Sequence, residues 1–368
     1  MEFIKGMDIS TWFELERLGA KYYDAGKERD LLSILHAYGV NSIRLRLWND
    51  PYSGTGQPYG AGTNDLATTI HMAKKARQMG MGFLLDLHYS DFWADPGKQF
   101  VPKAWRGLDA TGLEKAVYDF TKETLESLKQ ADTFPSMIQI GNELSNGLLF
   151  PLGRYPEYDH IARFVNAGIR AARTVDENLP VMIHLDNGGN NALYRDWFDH
   201  YMERGEDFEV IGLSYYPFWH GTMVGLENNM NDIAKRYGKD LNVVEVSMGF
   251  TMEDYQDFEG LATEERKGYA TRQALVDQIE YPMTKQGQAD FMQDIMTRIA
   301  RVSGGKGGGF YYWEPAWLPI SGSGWATPES LEYIEDTGPC GNEWANQALF
   351  DYHGNVLPAL KTIRDFKA

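Results

Sequence analysis

The sequence of 368 residues predicts an α/β fold, a (β/α)8 TIM barrel in a single domain, on three observations. Eight short apolar runs alternate with eight longer segments of helical period. Helix-to-strand connections are short, whereas strand-to-helix connections are long. Polar side chains recur where the apolar runs end. Eight β-then-α units close a barrel of this kind, and one such domain accommodates a chain of this length.

The first half of the chain supplies four predicted strand–helix pairs. The predicted strands are 3–9, 41–48, 82–88 and 137–143, and the helices that follow them are 26–38, 64–79, 111–130 and 157–177. The first two helices end at Gly39 and Gly80, because glycine readily adopts the left-handed conformation that terminates a helix.

The second half repeats this rhythm. The predicted strands are 181–186, 209–216, 241–247 and 308–314, and the helices are 190–204, 223–237, 286–303 and 355–366. No linker or low-complexity run interrupts the pattern, so we predict one catalytic domain over residues 1–368.

Four long loops follow predicted strands, at 49–63, 89–109, 248–284 and 315–353. In barrels of this class the strand-to-helix loops build the active face. The loops carry many aromatic residues, which argues against disorder. Flat rings such as Trp93, Trp105 and Trp317 can stack on sugar or pack within the loops, and the sequence leaves both open.

Composition excludes several partners. The formal net charge of −17 disfavours nucleic acid, which is bound through clustered Lys and Arg. No run approaches the ~20 apolar residues of a membrane span, so we expect no membrane partner. The start, MEFIKGMDIS, lacks the apolar region of a signal peptide, and the sequence leaves open a cytoplasmic location or a leader already removed. Cys340 is the only cysteine, so no internal disulfide forms.

Polar or aromatic groups stand near the carboxyl ends of seven predicted strands, which share one rim of the barrel. These groups are Arg44, Arg46, Asp86, His88, Asn142, Glu143, His184, Asp186, Tyr215, Tyr216, Glu245, Trp313 and Glu314. Recurrence on so many strands predicts a functional site at this rim.

Glu143 and Glu245 are the strongest catalytic candidates. Each lies in an apolar run, where a charge is costly to bury unless it is paired or functional. Strands four and seven lie on opposite sides of the ring, so the two carboxylates would face each other. Two facing carboxylates are what glycosidic cleavage needs, as proton donor and nucleophile. The alternative is a structural ion pair with Arg44 or Arg46, which the sequence leaves open.

Several long motifs carry a resemblance to a known family. FIKGMDIS, NSIRLRLWNDP, FLLDLHYSDFWADPGKQ, VPKAW and IQIGNELSNGLL occur in this order over nearly the whole chain. The sequence resembles glycoside hydrolase family 53, the endo-β-1,4-galactanases, within the wider clan of retaining barrel hydrolases. That clan shares an Asn-Glu pair on strand four and a Glu on strand seven, which appear here as Asn142-Glu143 and Glu245.

The resemblance implies cleavage within β-1,4-galactan, the side chain of type I arabinogalactan and pectin. It implies Glu143 as acid/base and Glu245 as nucleophile. Asn142 would bind the sugar 2-hydroxyl, Tyr215 would hydrogen-bond the nucleophile, and Trp313 would form the floor of the −1 subsite. Further predicted substrate-binding residues are His88, Asp91, Trp93, Arg46 and Asp186, although a histidine such as His88 is also compatible with the barrel core.

Three other functions remain as alternatives. Another retaining endo-β-1,4-glycanase, such as a β-mannanase or a cellulase, would use the same carboxylates. A sugar-binding barrel without catalysis is disfavoured, because both carboxylates are present. A metal-dependent hydrolase needs three or four converging ligands, and only His88, His184 and Asp186 are suitable.

We expect no cofactor, because the hydrolytic chemistry needs none, and a monomer, because the enzyme must straddle a polymer. A structural calcium ion could use oxygens of Asp254, Asp257, Glu335 and Asp336, but spacing alone is weak evidence and the sequence favours a solvated acidic loop.

Overall fold

The structure is a computed structural model that describes residues 2–253 and 272–368, and its centre is a closed barrel of eight parallel strands. Each strand pairs with its neighbours in sequence, and the last closes on the first. The barrel strands are β1 (Ile4–Asp8), β2 (Ser42–Leu47), β3 (Gly82–Leu87), β4 (Met137–Ile140), β5 (Val181–Leu185), β6 (Val210–Tyr215), β7 (Asp240–Val246) and β8 (Gly307–Trp313). The predicted (β/α)8 barrel is confirmed.

Each barrel strand is followed by a helix of the outer ring, and these helices differ in length. These helices are α1 (Leu31–Ala37), α2 (Leu66–Gln78), α3 (Ala110–Gln130), α4 (Tyr158–Val175), α5 (Asn191–Met202), α6 (Met223–Tyr237), α7 (Lys285–Ala300) and α8 (Pro358–Asp365). Side-chain oxygens cap the first turns of most of them, as Asp65 does for α2 and Thr222 for α6. Gly39 and Gly80 follow α1 and α2 with positive φ, as the sequence predicts.

Two predicted boundaries are wrong. Residues 26–38 were expected to form one helix, but Tyr22–Asp24 and Lys27–Arg29 pair as a hairpin, and the helix begins only at Leu31. Asp30 starts it, because its side chain accepts a hydrogen bond from the Ser33 backbone N–H.

The strand expected over 137–143 ends at Ile140 instead. Gly141 and Glu143 take left-handed φ values of +76° and +51°, which end the extended backbone of the strand.

Two apolar cores hold the barrel. A small cluster of buried side chains from six consecutive strands, β3 to β8, fills part of the barrel interior. Its members are Leu84, Met137, Met182, Val210, Val244 and Tyr311. A much larger core lies between the strands and the helices. Polar side chains occupy the barrel above the small cluster and point toward the strand-to-helix loops.

An irregularity in β7 aims a catalytic candidate into the barrel. Leu213 of β6 pairs with Val243, but the next residue, Ser214, pairs with Glu245, so β7 contributes one extra residue. Val244 therefore fills the interior core while Glu245 also faces the barrel mouth. Bulges of this kind often re-aim a side chain beside an active site.

Candidate active site

Glu143 and Glu245 meet at the mouth of the barrel. An oxygen of each carboxylate and a ring nitrogen of His184 all lie within 4.8 Å of one another. Glu143 is 9% exposed and Glu245 is 6% exposed, so substrate can reach both although burial dominates their surroundings. This separation of the two carboxylates agrees with a spacing of about 5–5.5 Å between the carboxyl groups of retaining glycosidases. Inverting glycosidases have a wider spacing of about 6.5–9.5 Å.

Both oxygens of Glu245 accept a hydrogen bond. Arg44 donates to Oε1 at 3.0 Å, and the Tyr216 hydroxyl donates to Oε2 at 2.8 Å. Burial raises the pKa of Glu245, while Arg44 and Tyr216 oppose that rise by favouring the ionised form. The ion pair considered as a structural alternative is thus present, and it also fixes the orientation of the Glu245 carboxylate.

The tyrosine that donates to Glu245 is Tyr216, and the prediction of Tyr215 for this contact is wrong. The Tyr215 hydroxyl donates to the backbone oxygen of Gly221 at 2.9 Å, and its ring stacks on Phe291 outside the barrel. The period of two along a strand could have shown this. Ser214 and Tyr216 share the inward face, whereas Tyr215 faces the helices.

This arrangement makes a paired prediction. Tyr216→Phe should lower kcat about tenfold to a hundredfold, because a hydrogen bond to a charged group is lost. Tyr215→Phe removes an equivalent hydroxyl from a neighbouring tyrosine and should leave kcat unchanged while lowering stability by about 1 kcal/mol. Steady-state kinetics and thermal unfolding of both variants check this, and equal kinetic losses would contradict the assignment.

Glu143 is held in conditions that favour its protonated form. The residue lies in the left-handed region with φ +51°, after Gly141 at φ +76°, and this sharp departure from β4 directs the side chain into the mouth. A left-handed non-glycine residue costs about 1–3 kcal/mol and is typical of functional sites. Burial first, and then the charges of Glu245 and Asp186, raise the pKa of Glu143 well above its ordinary value.

Arg44 is the electrostatic centre of the site. Its guanidinium group pairs with Asp8 at 2.8 Å, Asp86 at 2.9 Å and Glu245 at 3.0 Å. It also donates to the side-chain oxygens of Gln139 and Asn142. These carboxylates stabilise the positive charge of the buried Arg44 guanidinium group, and that charge in turn favours ionisation of Glu245.

Three residues of this site, Asp8, Gln139 and Ser214, were not predicted from the sequence. Asp8 ends β1 as the other polar groups end their strands, so the same rule could have found it. Gln139 and Ser214 have inward parity on β4 and β6, but neutral side chains inside apolar runs gave no separate signal.

A cleft of about 370 Å³ surrounds the two carboxylates. The predicted residues that line it, besides Glu143 and Glu245, are Asn142, His88, Trp93, Arg46 and Trp313. The lining also includes Trp317, Trp325, Trp344 and Asp95. For Trp317 the sequence left sugar stacking and loop packing open, and the other three were not predicted as substrate-binding residues. Aromatic walls around convergent polar groups suit the apolar faces and hydroxyls of a sugar chain. The substrate contacts themselves remain predictions.

Arg46 and His88 are fixed by their neighbours. Arg46 pairs with Glu314 at 2.6 Å and lies over the Trp93 ring at 4.3 Å from its centroid. His88 accepts from the Trp48 indole at 3.0 Å, and its other ring nitrogen meets Asp86 at 3.0 Å. Both side chains therefore arrive at the cleft wall already oriented.

Asp91 and Asp186 are not among the residues that line the cleft. Asp91 is fully buried and accepts from the backbone N–H groups of Asp50 and Lys103 at 3.0 and 2.7 Å, so it joins two loops. This placement contradicts its predicted substrate contact. Asp186 is 5% exposed and acts on Glu143 through its charge.

The calcium ligands considered from the sequence are only partly described. Asp254 and Asp257 lie outside the described residues. Glu335 is exposed, and Asp336 lines the cleft and accepts from the Gly338 backbone N–H at 2.9 Å. Both ring nitrogens of His184, named for the metal-dependent alternative, meet side-chain partners.

Within the described parts of the chain, 2–253 and 272–368, no helix has the length and apolar character needed to cross a membrane.

Comparisons with known proteins agree with one another. The family model described as glycosyl hydrolase family 53 matches residues 4–363. An endo-beta-1,4-galactanase of Bacillus subtilis is 36% identical, covering 99% of this chain and 86% of the relative. An uncharacterized protein of Niallia circulans is 38% identical over 98% of this chain and 93% of its own length. The solved family 53 catalytic domain of Ignisphaera aggregans is 39% identical, with a TM-score of 0.90 over 99% of this chain and 96% of that one.

Proposed function

This chain belongs to glycosyl hydrolase family 53, and we propose that it cleaves β-1,4-galactosidic bonds within galactan, the side chain of type I arabinogalactan and pectin, with retention of configuration. The observation that carries the proposal is the pair of buried carboxylates less than 5 Å apart in an aromatic cleft. The choice of galactan as substrate is supported by the Bacillus subtilis relative, which is named an endo-beta-1,4-galactanase and aligns with 99% of this chain.

The first chemical step uses both carboxylates. The ionised oxygen of Glu245 attacks the anomeric carbon while Glu143 gives its proton to the departing glycosidic oxygen. The bond between sugar and leaving group breaks as the bond to Glu245 forms. Arg44 and Tyr216 keep Glu245 ionised and aimed, and the higher pKa of Glu143 keeps the proton available near neutral pH.

The second step releases the sugar. Glu143, now a carboxylate, takes a proton from water as that water attacks the anomeric carbon, and Glu245 leaves. Two inversions give net retention. Asn142, held by Arg44 and by the backbone oxygen of Ala94, presents its amide at the cleft wall. There it can contact the sugar 2-hydroxyl through both steps.

The substrate is tested by comparing three polysaccharides. Release of reducing sugar from linear β-1,4-galactan, β-mannan and carboxymethylcellulose should occur on galactan alone, with short oligosaccharides as products. Cleavage of mannan or cellulose, but not galactan, would replace the substrate while leaving the two carboxylates in their roles.

We expect hydrolysis to need no metal ion, because two carboxylates and water complete the reaction. Dialysis against EDTA should leave kcat on galactan unchanged at 25 °C. Thermal unfolding measured with and without added Ca²⁺ separates chemistry from stability. A loss of kcat without unfolding, restored by a metal ion, would overturn this expectation.

We also propose that the enzyme acts as a monomer, since a cleft that cuts inside a polymer must remain open at both ends. Light scattering on the eluting protein should give the mass of one chain across a hundredfold range of concentration. A mass of two or more chains at assay concentration would contradict it.

A further inference from the structure

A buried chain of hydrogen bonds runs from Glu143 into the barrel. Glu143 Oε1 lies 2.6 Å from Ser214 Oγ, which lies 2.8 Å from His184 Nε2. On the other side of the ring, His184 Nδ1 lies 2.8 Å from Asn142 Oδ1. Ser214 and His184 are fully buried, so no solvent supplies other partners. The position of each proton along this chain can be deduced by starting from Asn142.

Asn142 fixes the first proton. Its amide nitrogen donates to the Ala94 backbone oxygen at 2.9 Å, and its Oδ1 accepts from Arg44 at 2.8 Å, so the amide has one orientation. An amide oxygen only accepts. The 2.8 Å contact with His184 therefore requires a proton on Nδ1. The Gln139 amide does not supply one, because its two protons fit Asp86 and the Gly141 backbone oxygen at shorter distances.

His184 carries only that one proton. Its ring is fully buried, and Arg44, His88 and His220 are the charged or titratable groups that further disfavour a second proton. Burial lowers the pKa of His184 well below its ordinary value. Nε2 is then a lone-pair acceptor, and it takes the proton of the Ser214 hydroxyl.

We propose that His184 and Ser214 are positioning residues that hold the acid proton on Glu143. The Ser214 hydroxyl has one proton, and neutral His184 receives it. Toward Glu143 the same hydroxyl can only accept, so the contact at 2.6 Å is made when Glu143 is the neutral acid and donates from Oε1. An ionised Glu143 would face a lone pair of Ser214 instead.

His184 and Ser214 favour the neutral form of Glu143 through hydrogen bonding, in addition to the effect of the surrounding negative charges. Those charges come from Glu245 on β7, Asp186 after β5 and Asp95 after β3, and Tyr194 and Tyr216 also face the group. In the free enzyme the proton rests on the oxygen turned to Ser214. Rotation of the carboxyl group about its last bond, which is soft and two-fold, presents the proton to the leaving oxygen.

The sign of one pKa change tests this inference. In Ser214→Ala the neutral form of Glu143 loses its acceptor, so the pKa of Glu143 should fall by about half a unit to one unit. A hydroxyl that donated to the carboxylate would give the opposite sign when removed. Carbon-13 NMR of labelled glutamate side chains, assigned with Glu143→Gln, measures the pKa directly. An unchanged or raised pKa would overturn the proposal.

A matched serine controls for loss of a buried hydroxyl. Ser247 is also fully buried and donates to Gln347 at 2.6 Å, away from Glu143. Ser247→Ala should leave the titration of Glu143 unchanged. An equal fall in both alanine variants would show a general effect of packing and would count against Ser214.

A second variant tests the role of His184. In His184→Leu the Ser214 hydroxyl is free to donate to Glu143, so the pKa of Glu143 should fall further than in Ser214→Ala. Nitrogen-15 NMR of labelled histidine in the wild type should show His184 protonated on Nδ1 and bare on Nε2. A proton on Nε2, or a higher pKa in His184→Leu, would refute the proposal.

The proposal rests on Glu143 as the acid of the family 53 reaction, and its tests need no substrate. Failure to cleave galactan would therefore leave these NMR results interpretable, and failure of the NMR prediction would leave the galactanase proposal standing. In the galactan assay, the alkaline limb of kcat/KM for Ser214→Ala should move to lower pH in parallel with the pKa, because that limb reports the acid of the free enzyme.

Discussion

Glu245→Ala is expected to lose turnover by about 10⁴-fold or more on every substrate, because the attack on the anomeric carbon fails whatever the leaving group. Rates on galactan and on an aryl β-galactobioside with a good leaving group should fall together. Removal of a carboxylate paired with Arg44 also leaves a buried cation with one partner fewer, so folding must be checked by circular dichroism.

The variant also offers a positive test. Azide added to Glu245→Ala should enter from the face that the carboxylate occupied and yield the α-galactosyl azide from the activated substrate. Glu332→Ala, which removes an exposed carboxylate from the helix Pro328–Ile334, is the matched control and should keep full activity. Residual activity of Glu245→Ala above about one percent, with contamination excluded, would contradict its role as nucleophile.

Glu143→Ala is expected to divide substrates by leaving group. Hydrolysis of galactan should fall by about 10²–10⁴-fold, because the departing sugar oxygen needs a proton. Formation of the glycosyl–enzyme from an activated aryl glycoside should be nearly unchanged, since that group departs without help. A rapid burst of the released phenol followed by a slow steady state is the expected trace.

The pH dependence gives a second reading of the same variant. In the wild type, activity should fall as pH rises through the raised pKa of Glu143, because the acid must be protonated. It should fall at low pH as Glu245 is protonated. Glu143→Ala should lose the alkaline limb on the activated substrate and keep the acid limb. Equal losses on both substrates would count against Glu143 as acid/base.

The sequence predicted the architecture well because periodicity reports burial. Runs such as 181–186 and helices such as 223–237 lie within a residue of their observed bounds. The segment 26–38 was less predictable, because a short hairpin and a short helix share its length and only the cap at Asp30 separates them. A tertiary contact, the bridge of Tyr23 to Asn355, helps to hold that hairpin.

Strand ends correctly indicated which side chains reach the barrel mouth, whereas contacts that depend on neighbouring residues were assigned wrongly. Glu143 and Glu245 stood out because charge is rare within apolar runs. The choice between Tyr215 and Tyr216 depended on which residues of β6 point into the barrel. The role of Asp91 depended on the path of the loop backbone at Asp50 and Lys103, whose N–H groups its side chain binds. The pairing of Ser214 with Glu245 depends on the extra residue in β7, which no local sequence pattern predicts.

The stereochemistry of the first cleavage of linear β-1,4-galactan tests substrate, mechanism and both carboxylates at once. Proton NMR, recorded within the first minutes of the reaction, follows the anomeric signals of the new reducing ends before they interconvert. Initial appearance of the β-anomer, absent with Glu245→Ala, is the expected result. Initial appearance of the α-anomer, or intact galactan after incubation with folded wild-type enzyme, would contradict a retaining galactanase built on Glu143 and Glu245.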